Sequence, residues 1–472
     1  MISFLPLGGA GEIGASCFYL NIDGTGIILD CGMHPLKTGM DALPKFDLIK
    51  DFPVDYVLIS HAHQDHLSAL PFLVQRHPYI IIISTPQTRA LAELTLHNSV
   101  SILKEQLSEV KQKDAHSVQL KIYSHEEIDL LIQSIEYRAY GENTILKGYN
   151  HQGKTPIVAT LIDAGHILGS AAILLEYNGK KILYSGDIKL SNQAIAKGSK
   201  IPSLSIDTLI LETTYGNTDS TLIPKWNDEA QRLALATNRI LISGGSVLIP
   251  VFSLGKMQEM LAVVWNLMLS GKILMTDIYT GGIASKIGRV YDYNRYVVNR
   301  IDPEFELSAI PVKNLYDVAQ AEDFFKNPSI ILASSGMMVE GTASFKLAKH
   351  WLKHKGSAIF TVGFMEESTP GFRIAKAKQG EKIRLTDFSE ENEVKCEINN
   401  FRFPSHASRE ELLEIVNSIR PKKVILVHGN QESIDWIGGA ILVNFKKTKI
   451  FQAELGKEIL IEKMEQNYSS YK

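Results

Sequence analysis

Short apolar runs separated by polar, glycine-containing loops dominate the first part of the chain: CFYLNI, GIILDCG, DYVLISH, YIIIIST, IVATLIDAGH, AAILLEY, KILYSGD and TLILETTYG. Runs this short, rich in β-branched residues, predict strands buried in a sandwich of sheets. One segment departs from that rhythm. Over 86–113, PQTRALAELTLHNSVSILKEQLSEVKQK has helical periodicity with a charged face, which predicts a helix covering a sheet. After 215 the pattern becomes helix, strand, helix in WNDEAQRLALATNRILISGGSVLIPVFSLGKMQEMLAVVWNLMLSG, with further buried strands at SIILASSGMM and SAIFTVGF. Such βα alternation predicts a parallel, doubly wound sheet. From about 395 the strand pattern returns, with VILVHGN followed by a helix and a short tail. The simplest organisation is one α/β domain, 1–213 and 395–472, interrupted by an inserted domain at 214–394.

Composition narrows the class. The 472 residues are 45% hydrophobic and 21% charged, as expected of a globular protein. A formal net charge of -3 argues against a broad nucleic-acid-coating surface but leaves room for a local basic groove. The basic stretches KLAKHWLKHKG and FRIAKAKQGEK read first as solvated helix faces, as Trp351 and Trp436 read first as packing residues rather than base-stacking platforms. Cys17, Cys31 and Cys396 are too few and too scattered for a disulfide framework and fit a reducing compartment. MISFLPLGGAGEIG shows no basic leader, and no stretch approaches the roughly 20 apolar residues of a membrane span, so the expectation is a cytoplasmic protein with no membrane contact.

The chemistry concentrates in HAHQDH. His61, His63, Asp65 and His66 follow directly on the apolar run DYVLIS. Residues two apart in an extended segment point the same way, so His61 and His63 can reach one ion. Asp65 and His66, one turn further, can reach a second. Other loops repeat the grammar of strand, small residue, ligand: His166 in DAGHILGSA, Asp187 in YSGDIK and His428 in LVHGN. Asp187 is a carboxylate able to bridge two metals. Imidazoles and carboxylates without thiolates suit Zn²⁺, with Mn²⁺ or Fe²⁺ as alternatives. Two such ions about 3.5–4 Å apart would generate a hydroxide and clamp a phosphodiester or carbonyl oxygen.

Asp30, His61, His63, Asp65, His66, His166 and Asp187, in this order, resemble the metallo-β-lactamase superfamily. Glu212 in LETTYG, His406 in FRFPSHAS and His428 in LVHGN resemble the signature motifs of its β-CASP branch, the nucleic-acid-processing enzymes. GHILGSA, GGSVLIPVFSLGKMQEML and SSGMMVEG look closest to the nuclease subunit of the cleavage and polyadenylation specificity factor and its prokaryotic relatives, with PLGGAGEIG closer to ribonuclease J. The resemblance implies an αββα sandwich with an inserted β-CASP domain that closes over the metals and leaves a narrow cleft for single-stranded RNA. It implies two Zn²⁺ per chain, one on His61, His63 and His166, the other on Asp65, His66 and His428, with Asp187 and a hydroxide bridging them. Asp30 would accept a hydrogen bond from a ligand imidazole. Glu212 would hold His406 on the leaving-group side of the scissile phosphate, with Ser405 and Ser408 near that phosphate.

The function so implied is a zinc-dependent ribonuclease that hydrolyses single-stranded RNA as an endonuclease, with 5′-to-3′ exonuclease action compatible, leaving a 5′-phosphate and a 3′-hydroxyl. The alternatives are a β-CASP DNA nuclease, a small-molecule metallo-hydrolase, and an RNA-processing scaffold without activity, for which a missing ligand would be expected. Two departures bear on the substrate. MEESTPGFR places Glu366 and Glu367 where relatives often have a glycine- and threonine-containing stretch. RNA-binding KH modules, which precede the nuclease in many archaeal relatives, are not seen, so substrate selection is expected to need a partner or to be loose; the partners expected are single-stranded RNA and either a second copy of the chain in a homodimer or an RNA-processing protein.

Overall fold

The computed structural model describes residues 1–111, 123–202 and 204–463. Gln112 and Lys113 of the expected helix, and most of the expected C-terminal tail, lie outside the described residues. Two compact units emerge. The first comprises Met1–Leu190, Ser199–Thr218 and His406–Lys472, and the second comprises Ser191–Gly198 and Asp219–Ser405.

The first unit holds two seven-stranded sheets. One runs in the order Ile459–Glu462, Ile2–Gly8, Cys17–Ile22, Thr25–Leu29, Tyr56–Leu58, Ile81–Ser84, Ile135–Tyr137. The other runs Lys449–Gln452, Lys423–Val427, Thr208–Glu212, Lys180–Tyr184, Ala171–Tyr177, Ile157–Asp163, Asn143–Leu146. Their inner faces share one core, in which Phe4, Phe18, Ile27 and Leu58 of the first sheet meet Leu161, Ile173, Ile182 and Ile425 of the second. Burial along Ile157–Asp163 alternates, with Ile157, Ala159 and Leu161 turned into that core. The helices Arg409–Ile419 and Gln431–Asn444 cover the outer face of the second sheet, where Leu412, Ile415, Ile434 and Ile437 pack on Leu209, Leu211 and Leu426. The helices Pro86–Lys111 and His125–Ser134 pack on each other and against Ile135–Tyr137. The layers are therefore αββα.

The second unit is built on one six-stranded sheet, ordered Val312–Asn314, Asp277–Thr280, Ser329–Ala333, Val247–Pro250, Ala358–Thr361, Glu397–Asn400, with every adjacent pair parallel. The expected doubly wound βα pattern is thus present. Trp351 packs in its core beside Phe345, Ile331 and Ile359, and its indole donates to the Ser246 carbonyl at 3.2 Å. Trp436, in the first unit, is partly exposed beneath the Arg409 guanidinium, 4.4 Å from the ring centre. Among the described residues no helix is long and apolar enough to cross a membrane.

Candidate metal centre

The central strands of both sheets end on the same side of the first unit, and their last residues hand over to the site. Leu58 ends a strand, and the loop 59–63, which carries His61 and His63, leads into the one-turn helix Gln64–Leu67, which carries Asp65 and His66. That turn approaches the backbone of Gly32 so closely that a Cβ there would lie 1.8 Å from the Asp65 carbonyl oxygen. Only glycine fits. Likewise His166 follows Ile157–Asp163, Asp187 follows Lys180–Tyr184, and His428 follows Lys423–Val427. His428 takes a left-handed backbone conformation, φ 48°, held by its N–H donating to Gly9 and its carbonyl accepting from Thr213.

The structure brings seven of these side chains into two clusters. In the first, His63 Nδ1 lies 3.1 Å from His61 Nε2 and 3.2 Å from His166 Nε2. In the second, Asp65 Oδ2 lies 3.3 Å from His428 Nε2 and 3.8 Å from His66 Nε2. Asp187 divides its two oxygens between them. Its Oδ2 lies 3.4 Å from His61 Nε2 and 3.6 Å from His166 Nε2, while Oδ1 lies 3.3 Å from His66 Nε2 and 3.4 Å from His428 Nδ1.

Electrostatics tests whether divalent cations fit. Burial pushes His61 and His166 below the usual imidazole range, which keeps them neutral and their lone pairs available. Burial would raise Asp187, yet His66, His428, His406 and His61 together hold it well below the usual carboxylate range. Burial would lower His66, but Asp187, Asp65 and Asp30 outweigh it and raise it well above the usual value. Without a cation, a proton on His66 must balance three carboxylates. Asp187 Oδ1 is buried and makes no hydrogen bond. With His66 neutral, as metal ligation requires, this buried oxygen loses its nearest cationic neighbour and calls for another positive charge in that space. The donor set of imidazoles and carboxylates meets that need, so the residues fit divalent metal ions.

A second layer of contacts orients the donors. Asp30 is buried and left-handed, φ 59°, and its Oδ2 lies 2.8 Å from His66 Nδ1. It also accepts from Ser60 N at 2.6 Å, Ser60 Oγ at 2.7 Å and the Tyr184 hydroxyl at 2.6 Å. A fully satisfied carboxylate of this kind fixes the tautomer of His66 and turns Nε2 toward the cluster. Ser60 Oγ also lies 3.0 Å from His61 Nδ1. Ser60 and Tyr184 went unnoticed in the sequence, although each adjoins a motif, Ser60 before HAHQDH and Tyr184 in LYSGD.

Beside Asp187, Glu212 and His406 form a third group. His406 Nδ1 lies 3.1 and 3.2 Å from the two Glu212 oxygens and 3.8 Å from Asp187 Oδ2. Glu212 is fixed by Ile188 N at 2.8 Å, Thr214 N at 3.3 Å and Thr214 Oγ1 at 2.5 Å. Burial opposes a charge on His406, but Glu212 and then Asp187 raise it above the usual imidazole value. The Tyr215 ring lies roughly perpendicular to it, with 6.0 Å between ring centres. Ser408 has a structural duty: its hydroxyl accepts from Glu411 N and caps the helix Arg409–Ile419. Ser405, half-buried, directly precedes His406.

Fold and site together define an αββα protein whose strand ends converge on two donor clusters that fit divalent metal ions. Family profiles match the chain as metallo-beta-lactamase superfamily over 10–204, Beta-Casp domain over 257–374 and Zn-dependent metallo-hydrolase RNA specificity domain over 391–450. An RNase J-like protein of Methanocaldococcus jannaschii is 31% identical over 428 residues, covering 90% of this chain and 91% of the relative. The chain belongs to the β-CASP branch of the metallo-β-lactamase superfamily. Cleavage and polyadenylation specificity factor subunit 3 of Dictyostelium discoideum is 27% identical over 471 residues, 98% of this chain but 58% of that protein. Cleavage and polyadenylation specificity factor 73 of Drosophila melanogaster is 29% identical over 442 residues, 92% of this chain and 60% of the relative. The chain thus spans about three fifths of those two longer relatives. A crystal structure of a protein of unknown function from Enterococcus faecalis V583 shares the fold, with TM-score 0.53, 13% identity and coverage of 97% and 99%.

Proposed function

We propose that this protein is a zinc-dependent ribonuclease that hydrolyses phosphodiester bonds of single-stranded RNA, leaving a 5′-phosphate and a 3′-hydroxyl. The observation that carries the reading is Asp187 standing between two donor clusters with the His406–Glu212 pair at its side. His61, His63, His166 and Asp187 would hold one ion, and Asp65, His66, His428 and Asp187 the other. When bound, two such ions activate a water and offset charge on the phosphate oxygens. The rest falls to the chain. The oxygen of a water that gives up one proton to solvent bonds to phosphorus, the bond from phosphorus to the 3′-oxygen breaks, and that oxygen takes up a proton as it leaves. Glu212 occupies Nδ1 of His406, which leaves Nε2 as the nitrogen able to donate it. Glu212 and then Asp187 raise His406 above the usual imidazole value, which favours the protonated form that an acid needs.

Relatives named endoribonuclease in Saccharomyces cerevisiae and Kluyveromyces lactis support RNA as the substrate and internal cleavage as the mode. The RNA specificity domain match over 391–450 points the same way. The described cysteines are free and buried, which agrees with a reducing, cytoplasmic setting. Matched RNA and DNA oligonucleotides, end-labelled and with the 5′ end either blocked or open, test the reading. Internal cuts in RNA regardless of the 5′ end are expected. Cleavage of DNA alone, or hydrolysis of a small ester with both nucleic acids intact, would overturn it.

A further inference from the structure

Two residues after Asp187, the Lys189 side chain is buried and its ammonium donates to Glu411 Oε2 at 2.8 Å. The same Glu411 oxygen accepts from Ser408 N at 2.7 Å, two residues after His406. Between these contacts, Ala407 N donates to the Ile188 carbonyl at 2.6 Å, and Ile188 N donates to Glu212 Oε1 at 2.8 Å. The segment carrying Asp187 and the segment carrying His406 are therefore joined residue by residue: Ile188 to Ala407, and Lys189 through Glu411 to Ser408. The Lys189 backbone is itself tied down, its N–H donating to Ala164 and its carbonyl accepting from Ser199 N.

We infer that Lys189 and Glu411 are positioning residues that set the reach of His406 toward the scissile phosphate. This rests on the reading of His406 as the leaving-group acid. A ligand such as Asp187 is fixed by its own cluster, whereas His406 sits on a loop, with Glu212 at its Nδ1 and the rings of His166 and Tyr215 beside it, 4.5 and 6.0 Å between ring centres. A ring so held can still swing with its backbone, and a displacement on the order of 1 Å of a reacting group costs about 10²-fold in rate. An ammonium buried two residues from Asp187 and locked to a helix-capping carboxylate removes that freedom. Capping alone does not need the lysine. Ser408 and Glu411 satisfy each other as a capping box, and the strands on either side supply the packing.

The test compares Lys189→Met, Lys189→Arg, Glu411→Gln and His406→Ala on two RNA oligonucleotides, one ordinary and one with sulfur replacing the 3′-bridging oxygen at the mapped cleavage position. A thiolate departs without a proton. Metal content and thermal melting are measured on each variant so that rates refer to folded, loaded protein. On ordinary RNA, Lys189→Met and Glu411→Gln should lower kcat about 10- to 100-fold with KM changed by less than about threefold, and Lys189→Arg should recover most of the loss. On the sulfur substrate their defects should shrink to under about threefold, as should that of His406→Ala. Glu411→Gln keeps an acceptor for the helix cap and carries the test if Lys189→Met folds poorly. Wild-type rates in both variants, or equal losses on both substrates, would overturn the positioning role while leaving His406 as acid. A His406→Ala defect that sulfur does not relieve would overturn the acid assignment and the inference with it.

Discussion

Asp187 is the residue on which the two clusters depend, because each of its oxygens faces a different one and no described neighbour can replace both. Asp187→Ala should leave well under one metal ion per chain by elemental analysis; two ions retained would disprove the bridging role. Glu212 acts at one remove. Its charge is the leading influence that raises His406, so Glu212→Gln should bring that imidazole down and move the alkaline limb of kcat to lower pH, since the acid must be protonated to work. Asp163 offers a test of stability instead. Burial raises its carboxyl to about 6, with only the Gly165 N–H at 2.9 Å to favour the charge. A raised folded pKa means stability that is present at low pH and lost as pH rises through about 6. Asp163→Asn keeps the acceptor and removes the charge, so it should stabilise by about 1–2 kcal/mol above neutrality and lose that advantage on acidification. Equal melting temperatures of the two proteins across the pH range would count against it.

At the level of elements, the site is made by strand ends, and close approach sets their spacing. Gly32→Ala would drive a methyl into the Asp65 carbonyl and displace the turn that carries Asp65 and His66. Metal content should fall and melting should drop, by about 1–3 kcal/mol of stability; full metal loading in this variant would show that the turn adapts. This level also shows what the sequence could and could not reveal. HAHQDH, DAGHI, YSGD and LVHGN were readable because each donor follows an apolar strand within a few residues and is flanked by small ones. AAILLEY and CFYLNI match their strands because both faces are buried. Ile2–Gly8 was hidden by its run into the glycine loop. The edge strand Glu397–Asn400 was hidden by polar side chains that an edge tolerates. The support of Asp30 by Tyr184 and of Lys189 by Glu411 spans 154 and 222 positions and exists only after folding.

For the molecule as a whole, metal and fold should be coupled. The metal-free site keeps a proton on His66 to balance its carboxylates, and that stabilisation fades as pH rises, since a raised folded pKa supplies stability only while the group is protonated. Chelation should therefore lower the melting temperature, and the gap between stripped and loaded protein should widen between about pH 6 and about pH 8. A gap that is absent or narrows with pH would mean that cations are not what the clusters are built for. The most direct measurement takes wild type and His406→Ala, counts the metal in each, and times single-turnover cleavage of an internally labelled RNA. The account expects equal metal, two ions per chain, and a rate at least about a hundredfold lower in the variant. Equal rates, or metal lost along with His406, would contradict it.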